Sequence, residues 1–316
     1  MSLVASEHQR YVEQVERRLE TAVAAEPGMV ADAGARTLSA GGKRLRPLLV
    51  SLCAAQEARG RDQLVAAGCA VELVHMATLV HDDVLDATPL RRGHPTVWHS
   101  DGRERATATG DYLFARAFAE LAATGDGEAV TMLADACLAL ARGEILQRAQ
   151  TGDPSTTVAA YLERCTLKTG RLFSAAAMLG ARFGGLDRSQ GEALGRFAEA
   201  LGLAFQVADD VLDCDGNPDT TGKPLGTDLL DGTVTLPLIL AGERDAAVRA
   251  VIAAGAAPDD VLPTLARVVA SGAVSDARSE ARRLAAIARD ELDSVSAPVD
   301  HDALREAVTM AVERSA

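Results

Sequence analysis

Aromatic residues are scarce: one Trp, three Tyr and six Phe, or 3% of 316 residues. A core must therefore be built from aliphatic side chains, and with 48% hydrophobic residues there is ample material for a large one. Runs of alternating β-branched residues are nearly absent, which argues against a sheet. The five cysteines (Cys53, Cys69, Cys137, Cys165, Cys214) are odd in number, scattered, and form no C-x-x-C pair. They read as reduced core thiols of a cytoplasmic protein, not as a disulfide or zinc framework. Basic residues are in the minority, and a formal net charge of −13 argues against nucleic acid as a partner. No apolar run approaches the length of a bilayer span, so no stable membrane insertion is expected. The opening "MSLVASEHQRYVEQVERRLE" has the pattern of an amphipathic helix, not of a basic-plus-apolar leader.

What is present is helical periodicity, in "QLVAAGCAVELVHMATLV", "YLFARAFAELAAT", "EAVTMLADACLALARGEILQRA" and "GEALGRFAEALGLAFQVADDVLD". The expected fold is all-α, a single-domain multi-helix bundle spanning 1–316 with a dozen or more helices. Segments 64–81 and 126–142 are apolar on most faces and are expected to be central helices. Asp153-Pro154 resembles an N-cap followed by a first-turn proline, and Pro258 and Pro263 punctuate the C-terminal third. Two stretches, 87–103 and 214–235, read as long irregular loops, which in a compact domain are more often functional than idle.

Each loop follows an acidic cluster. Asp82, Asp83 and Asp86 have the same i, i+1, i+4 spacing as Asp209, Asp210 and Asp213, both within "DDVLD". On a helix, i and i+4 share a face, so Asp82 points with Asp86 and Asp209 with Asp213. Like charges there repel, and the C-terminal end of a helix disfavours negative charge further. One such cluster is most simply a solvated helix end. Two copies, each at the end of an apolar helix, point to a shared metal. Hard carboxylate oxygens without clustered His or Cys suit Mg²⁺, which is held by a few carboxylates together with substrate phosphates.

Basic groups then make sense as diphosphate ligands: Lys43, Arg44 and Arg46 in "GGKRLRP", Arg91 and Arg92 in "LRRG", Lys168 beside Thr169 in "LKTG", and Lys223 in "TGKPLG". His75 lies two turns before Asp82 on roughly the same face; a lone His on an apolar helix is more often a packed core residue than a ligand.

In order along the chain, "GGKRLRP", "LVHDDVLDATPLRRGHPT", "GDYLFARAF", "GEILQ", "LKTG", "FQVADDVLD" and "GKPLGTDLLDGTVTLP" resemble the trans-prenyl diphosphate synthases, the polyprenyl synthetase family. The resemblance spans most of the chain. It implies the isoprenoid synthase fold around a central cavity, a homodimer, and Mg²⁺, usually three ions, gripping an allylic diphosphate. It implies that Asp82, Asp86 and Asp209 are metal ligands, with Asp83, Asp210 and Asp213 as supporting acids. Lys43, Arg46, His75 and Arg92 would hold isopentenyl diphosphate; Arg91, Lys168, Thr169, Gln206 and Lys223 would hold the allylic diphosphate. One position departs: many relatives carry a lysine where Thr233 stands in "DGTVT", which removes one allylic-phosphate contact.

The resemblance also ties product length to what lines the floor below the first cluster, where aromatics four and five residues before the first aspartate stop growth early. Here those positions are Thr78 and Ala77. With 1.5 Å rise per residue they lie roughly 6–7 Å below Asp82, leaving the way open toward Val74. A medium-to-long polyprenyl product is expected, with Phe173 or Phe205 as alternative stops. The competing readings are a short-chain synthase, a class I terpene cyclase and a subunit of a heteromeric synthase. A cyclase usually has one aspartate cluster and no counterpart of "GGKRLRP"; a non-catalytic subunit loses aspartates or basic residues that are complete here.

Overall fold

The computed structural model describes residues 6–26, 28–216 and 224–313. Sixteen α-helices account for most of them: Ser6–Val23 (α1), Met29–Ser39 (α2), Leu45–Leu52 (α3), Asp62–Leu85 (α4), Val97–Asp101 (α5), Arg103–Ala122 (α6), Gly127–Gln150 (α7), Val158–Cys165 (α8), Arg171–Phe183 (α9), Arg188–Asp215 (α10), Thr227–Leu230 (α11), Leu236–Arg244 (α12), Ala246–Ala254 (α13), Pro258–Ala270 (α14), Ala273–Asp293 (α15) and His301–Val312 (α16). The one sheet among these residues is a hairpin of Leu90–Arg91 (β1) and His94–Pro95 (β2). The all-α expectation holds.

The chain divides into two compact units. One takes in Met1–Cys137, Leu172–Gly195 and Ser294–Leu304. Its spine is α4, apolar nearly all round, packed against α1, α3 and α6. Against expectation, α4 is long and apolar enough to cross a membrane by length and composition; 78% of that apolar window is buried inside the fold, as in a core helix. The other unit takes in Leu138–Arg171, Arg196–Asp293 and Arg305–Ala316. There α12 packs on α13, α14 and α15, and α8 runs directly into a π-helical turn, Thr166–Gly170.

Four local expectations are corrected. Helix α7 is not central along 126–142: Leu138 is 53% exposed and, seven residues on, Ile145 is 71% exposed. Residues 87–103 are ordered as the hairpin and α5, because Arg92 and Gly93 both take positive φ (53° and 78°), the pairing a two-residue type I′ hairpin turn requires. Asp153 is a turn residue, its carboxylate accepting from the Ser155 N–H and Oγ, while α8 is capped by Thr157, whose hydroxyl accepts from the Ala160 N–H. Pro258 opens α14 as expected, but Pro263 lies inside that helix and does not end it.

Candidate active site

In the first unit, the "GGKRLRP" segment, α4 and the hairpin enclose a cleft lined by Arg36, Arg44, Glu72, His75, Arg91 and Arg92. The loop before α3 bends through Gly41 (φ 80°) and Arg44 (φ 47°). This carries the Arg44 guanidinium into the cleft, where it is buried, donates to Glu72 at 2.9 Å and to the Leu38 carbonyl at 3.2 Å, and lies 3.5 Å from Glu16. Gly42 sits against two guanidiniums: a Cβ there would lie 2.9 Å from Arg44 Nη1 and 3.1 Å from Arg92 Nη1. Like charges gathered at one loop repel, and Glu72 offsets part of that by pairing with Arg44. Burial, reinforced by Arg46, Arg92, Arg91 and Arg44, holds the His75 imidazole well below its ordinary range, so it is neutral at pH 7. Arg46 stacks 4.9 Å over the Phe173 ring, its Nε is buried without a hydrogen-bond partner, and burial lowers it to about 10 against the attraction of Glu72. Lys43 is exposed.

The first acidic cluster ends α4. Asp86 is its exposed C-cap residue, with its N–H donating to the Asp82 carbonyl at 2.8 Å. Asp83 turns inward, is buried, and takes both Nε and Nη2 of Arg91 at 2.8 Å. Burial raises Asp83 above the usual carboxylate range, and Arg91 opposes that shift. Upstream, Val74 and Ala77 are buried, and the half-buried Thr78 donates its hydroxyl to the His75 carbonyl at 2.7 Å.

The second unit holds the other cluster. Asp210 is buried, accepting from Tyr161 Oη at 2.6 Å and Gln206 Nε2 at 2.8 Å; burial pushes it up to about 7. Gln206 in turn accepts from Thr169 Oγ1 at 3.0 Å. Asp213 accepts from the N–H groups of Thr227 and Asp228, both at 3.1 Å, at the start of α11. Lys168 stands on the π-turn and donates to Glu144 at 2.6 Å and Gln147 at 3.2 Å, which gives "GEILQ" its role beside "LKTG". The two backbones touch at Gly143, where a Cβ would lie 2.8 Å from the Lys168 nitrogen. π-Turns of this kind are frequently found at functional sites.

The cleft thus unites His75, Arg91 and Arg92 with Arg46 close by, and leaves Lys43 outside. The second unit unites Lys168, Thr169, Gln206 and Asp210. Lys223 lies outside the described residues. Sequence reasoning missed Glu72, Tyr161 and Glu144, and grouped Arg44 with the diphosphate ligands, whereas its guanidinium donates to Glu72 and the Leu38 carbonyl. Glu72 had a signal: a carboxylate inside an otherwise apolar helix must find a cation. No group of three or more His, Cys, Asp or Glu gathers into a metal cage among the described residues. Carboxylates paired at i and i+4, without soft donors, fit Mg²⁺ held jointly with substrate phosphates.

The chain is similar to characterised proteins along most of its length. It is 39% identical over 263 residues to heptaprenyl diphosphate synthase component 2 of Geobacillus stearothermophilus, covering 83% of this chain and 82% of that one. It is 36% identical over 289 residues to nonaprenyl diphosphate synthase of Mycobacterium tuberculosis, covering 89% and 85%. The crystal structure of heptaprenyl diphosphate synthase from Staphylococcus aureus superposes with a TM-score of 0.91 at 26% identity, covering 100% of both chains. The profile of the polyprenyl synthetase family matches residues 28–264. The chain belongs to the polyprenyl synthetase family, whose members have the all-α isoprenoid synthase fold and use Mg²⁺.

Proposed function

We propose that this chain is a Mg²⁺-dependent trans-prenyltransferase that condenses isopentenyl diphosphate with an allylic diphosphate. The product is a medium-to-long polyprenyl diphosphate of about six to eight isoprene units, about C30–C40, by the floor argument at positions 77 and 78. The observation that carries the reading is the cationic cleft of the first unit beside an aspartate pair at the end of α4. Relatives named for heptaprenyl and octaprenyl products support the length.

Asp82, Asp86 and Asp209 would hold Mg²⁺, three ions in all by the family pattern. When bound, the metal neutralises charge on the departing diphosphate. The remaining work falls to the protein. Arg92, the neutral His75 and Arg46 bind isopentenyl diphosphate, with the exposed Lys43 added from the loop before α3; Arg91, Lys168, Thr169, Gln206 and Lys223 bind the allylic diphosphate. The allylic C–O bond breaks with its electron pair going to the diphosphate oxygen. The isopentenyl double bond attacks the freed carbon, and a proton leaves to the released diphosphate, so no dedicated protein base is needed. Fixed guanidinium and amide dipoles stabilise the charge without reorganising, and exclusion of water protects the cation. The reaction requires residues 1–316 to work as one polyprenyl synthetase domain. A homodimer in the cytoplasm, without stable membrane insertion, completes the proposal.

The test is product sizing by the isolated chain with isopentenyl diphosphate, Mg²⁺ and each of several allylic primers. Products of C30–C40 are expected. A stop at C20 or below makes it a short-chain synthase. Diphosphate release without isopentenyl diphosphate consumption makes it a cyclase. Silence until a second protein is added makes it one component of a heteromer, as the name of the Geobacillus relative says of that protein.

A further inference from the structure

The residue before the first metal-binding aspartate is His81, and it is pinned to α6 from three sides. Its ring stacks on Phe114 with centroids 5.7 Å apart. Its Nε2 lies 3.3 Å from the Thr107 carbonyl and 3.3 Å from Asp111 Oδ1. Both are acceptors, so Nε2 carries the proton and the tautomer is set by its partners. Space for the ring exists only because residue 110 is glycine: a Cβ there would lie 2.2 Å from Nε2. Three letters of "GDYLF" thus act together, Gly110 as the notch, Asp111 as the acceptor and Phe114 as the platform. The side chain stays 29% exposed, so burial of apolar area alone does not account for a ring held by two specific acceptors.

The position explains the need. Asp82 and Asp86 occupy the last turn of α4, where helices fray. Their mutual repulsion and the negative end of the helix dipole both favour fraying. His81 lies inside that turn, one residue and 1.5 Å of rise from Asp82, so fixing its ring fixes the rotation of the helix at the carboxylates. We propose that His81, seated in the Gly110–Asp111–Phe114 notch, is a positioning residue that holds Asp82 and Asp86 in register for the metal–diphosphate complex. The inference rests on the proposed function for the identity of that complex.

The test combines steady-state kinetics with a readout that needs no turnover: the thermal shift produced by Mg²⁺ plus inorganic diphosphate. His81→Ala is expected to lower kcat about tenfold to a hundredfold, the range set by a misplacement of about 1 Å or less. It should raise the half-saturating Mg²⁺ concentration about tenfold, shrink the thermal shift, and leave KM for isopentenyl diphosphate within about twofold. His81→Gln places an amide N–H where Nε2 stood and restores most of the loss; His81→Asn, which mimics Nδ1, does not. Gly110→Ala reproduces His81→Ala, but added to His81→Ala it costs little more, because the clash needs the imidazole. A wild-type thermal shift and Mg²⁺ half-saturation in His81→Ala would overturn the proposal. So would a Gln variant no better than Ala, or a Gly110→Ala cost undiminished in the His81→Ala background. Should the wild-type chain incorporate no isopentenyl diphosphate, the proposed function fails, while the thermal shifts of wild type and variants still decide the role of His81.

Discussion

The same five letters, "DDVLD", end two helices in different ways. At 82–86 the helix stops: α4 ends at Leu85 and Asp86 is its exposed cap. At 209–213 it runs on to Asp215. The middle acid is buried in both, yet Asp83 faces a guanidinium while Asp210 faces a phenol and an amide. The last acid is exposed in one copy and caps another helix in the other. What the copies share is the first aspartate, half-buried in each. The repeat therefore encodes one common position and two different supports, and substitutions can separate them.

The largest effect is expected at that common position. Asp82→Ala and Asp209→Ala should each lower incorporation of isopentenyl diphosphate by about 10³-fold or more, since each removes transition-state charge stabilisation. Collapse of only one would break the equivalence of the two copies and leave the other cluster structural.

The supports should differ in stability. Tyr161→Phe removes a donor from a fully buried carboxylate and is expected to cost about 2 kcal/mol in urea unfolding. Arg91→Ala removes the partner of Asp83, but the Arg91 side chain is 32% exposed, so water replaces part of the loss and about 1 kcal/mol is expected. A larger cost for Arg91→Ala than for Tyr161→Phe would reverse the comparison. A smaller contrast lies at the last acid. Asp213→Ala leaves two N–H groups at the start of α11 without their acceptor and should cost about 1 kcal/mol, as loss of an N-cap does. Asp86→Ala, at an exposed site, should stay within about 0.5 kcal/mol while raising the Mg²⁺ requirement. Equal melting losses would show that Asp86 also carries structure.

The sequence made the all-α fold legible because its apolar residues recur at helical spacing with almost nothing to stack into a sheet. It made the first acids and the Arg91–Arg92 pair legible because charge at the end of an apolar helix has to be matched. It did not show which acid turns inward, since Asp83 and Asp82 differ only by the 100° rotation between neighbours on a helix. Nor did it show Tyr161 or Glu144, whose partners are 49 and 24 residues away. The type I′ turn was hidden because Arg92 takes the left-handed conformation usually left to Asn, Asp or Gly. The exposed face of α7 was hidden because apolar letters on two faces read as a buried helix whether or not this chain covers both.

The smallest effect in turnover, and the sharpest in chemistry, lies just upstream of the two clusters. Four and five residues before the first aspartate stand Thr78 and Ala77; before the second stand Phe205 and Ala204. If the floor below the first cluster sets product length, small residues there keep it open, and the Phe at 205 is not the stop. Ala77→Phe should then shorten the product distribution by several isoprene units while changing the initial rate by no more than about threefold, because the added ring lies roughly a turn from the reacting carbons. Ala77 is fully buried, so the same variant must place a larger side chain in a packed site at a cost of about 1–3 kcal/mol. Product chromatography and a melting curve on one preparation separate the two consequences. Shorter products from a folded enzyme place position 77 on the chain path. An unchanged product length in a folded Ala77→Phe enzyme takes position 77 off that path and moves the stop to Phe173 or Phe205, where replacement by Ala should lengthen the product instead.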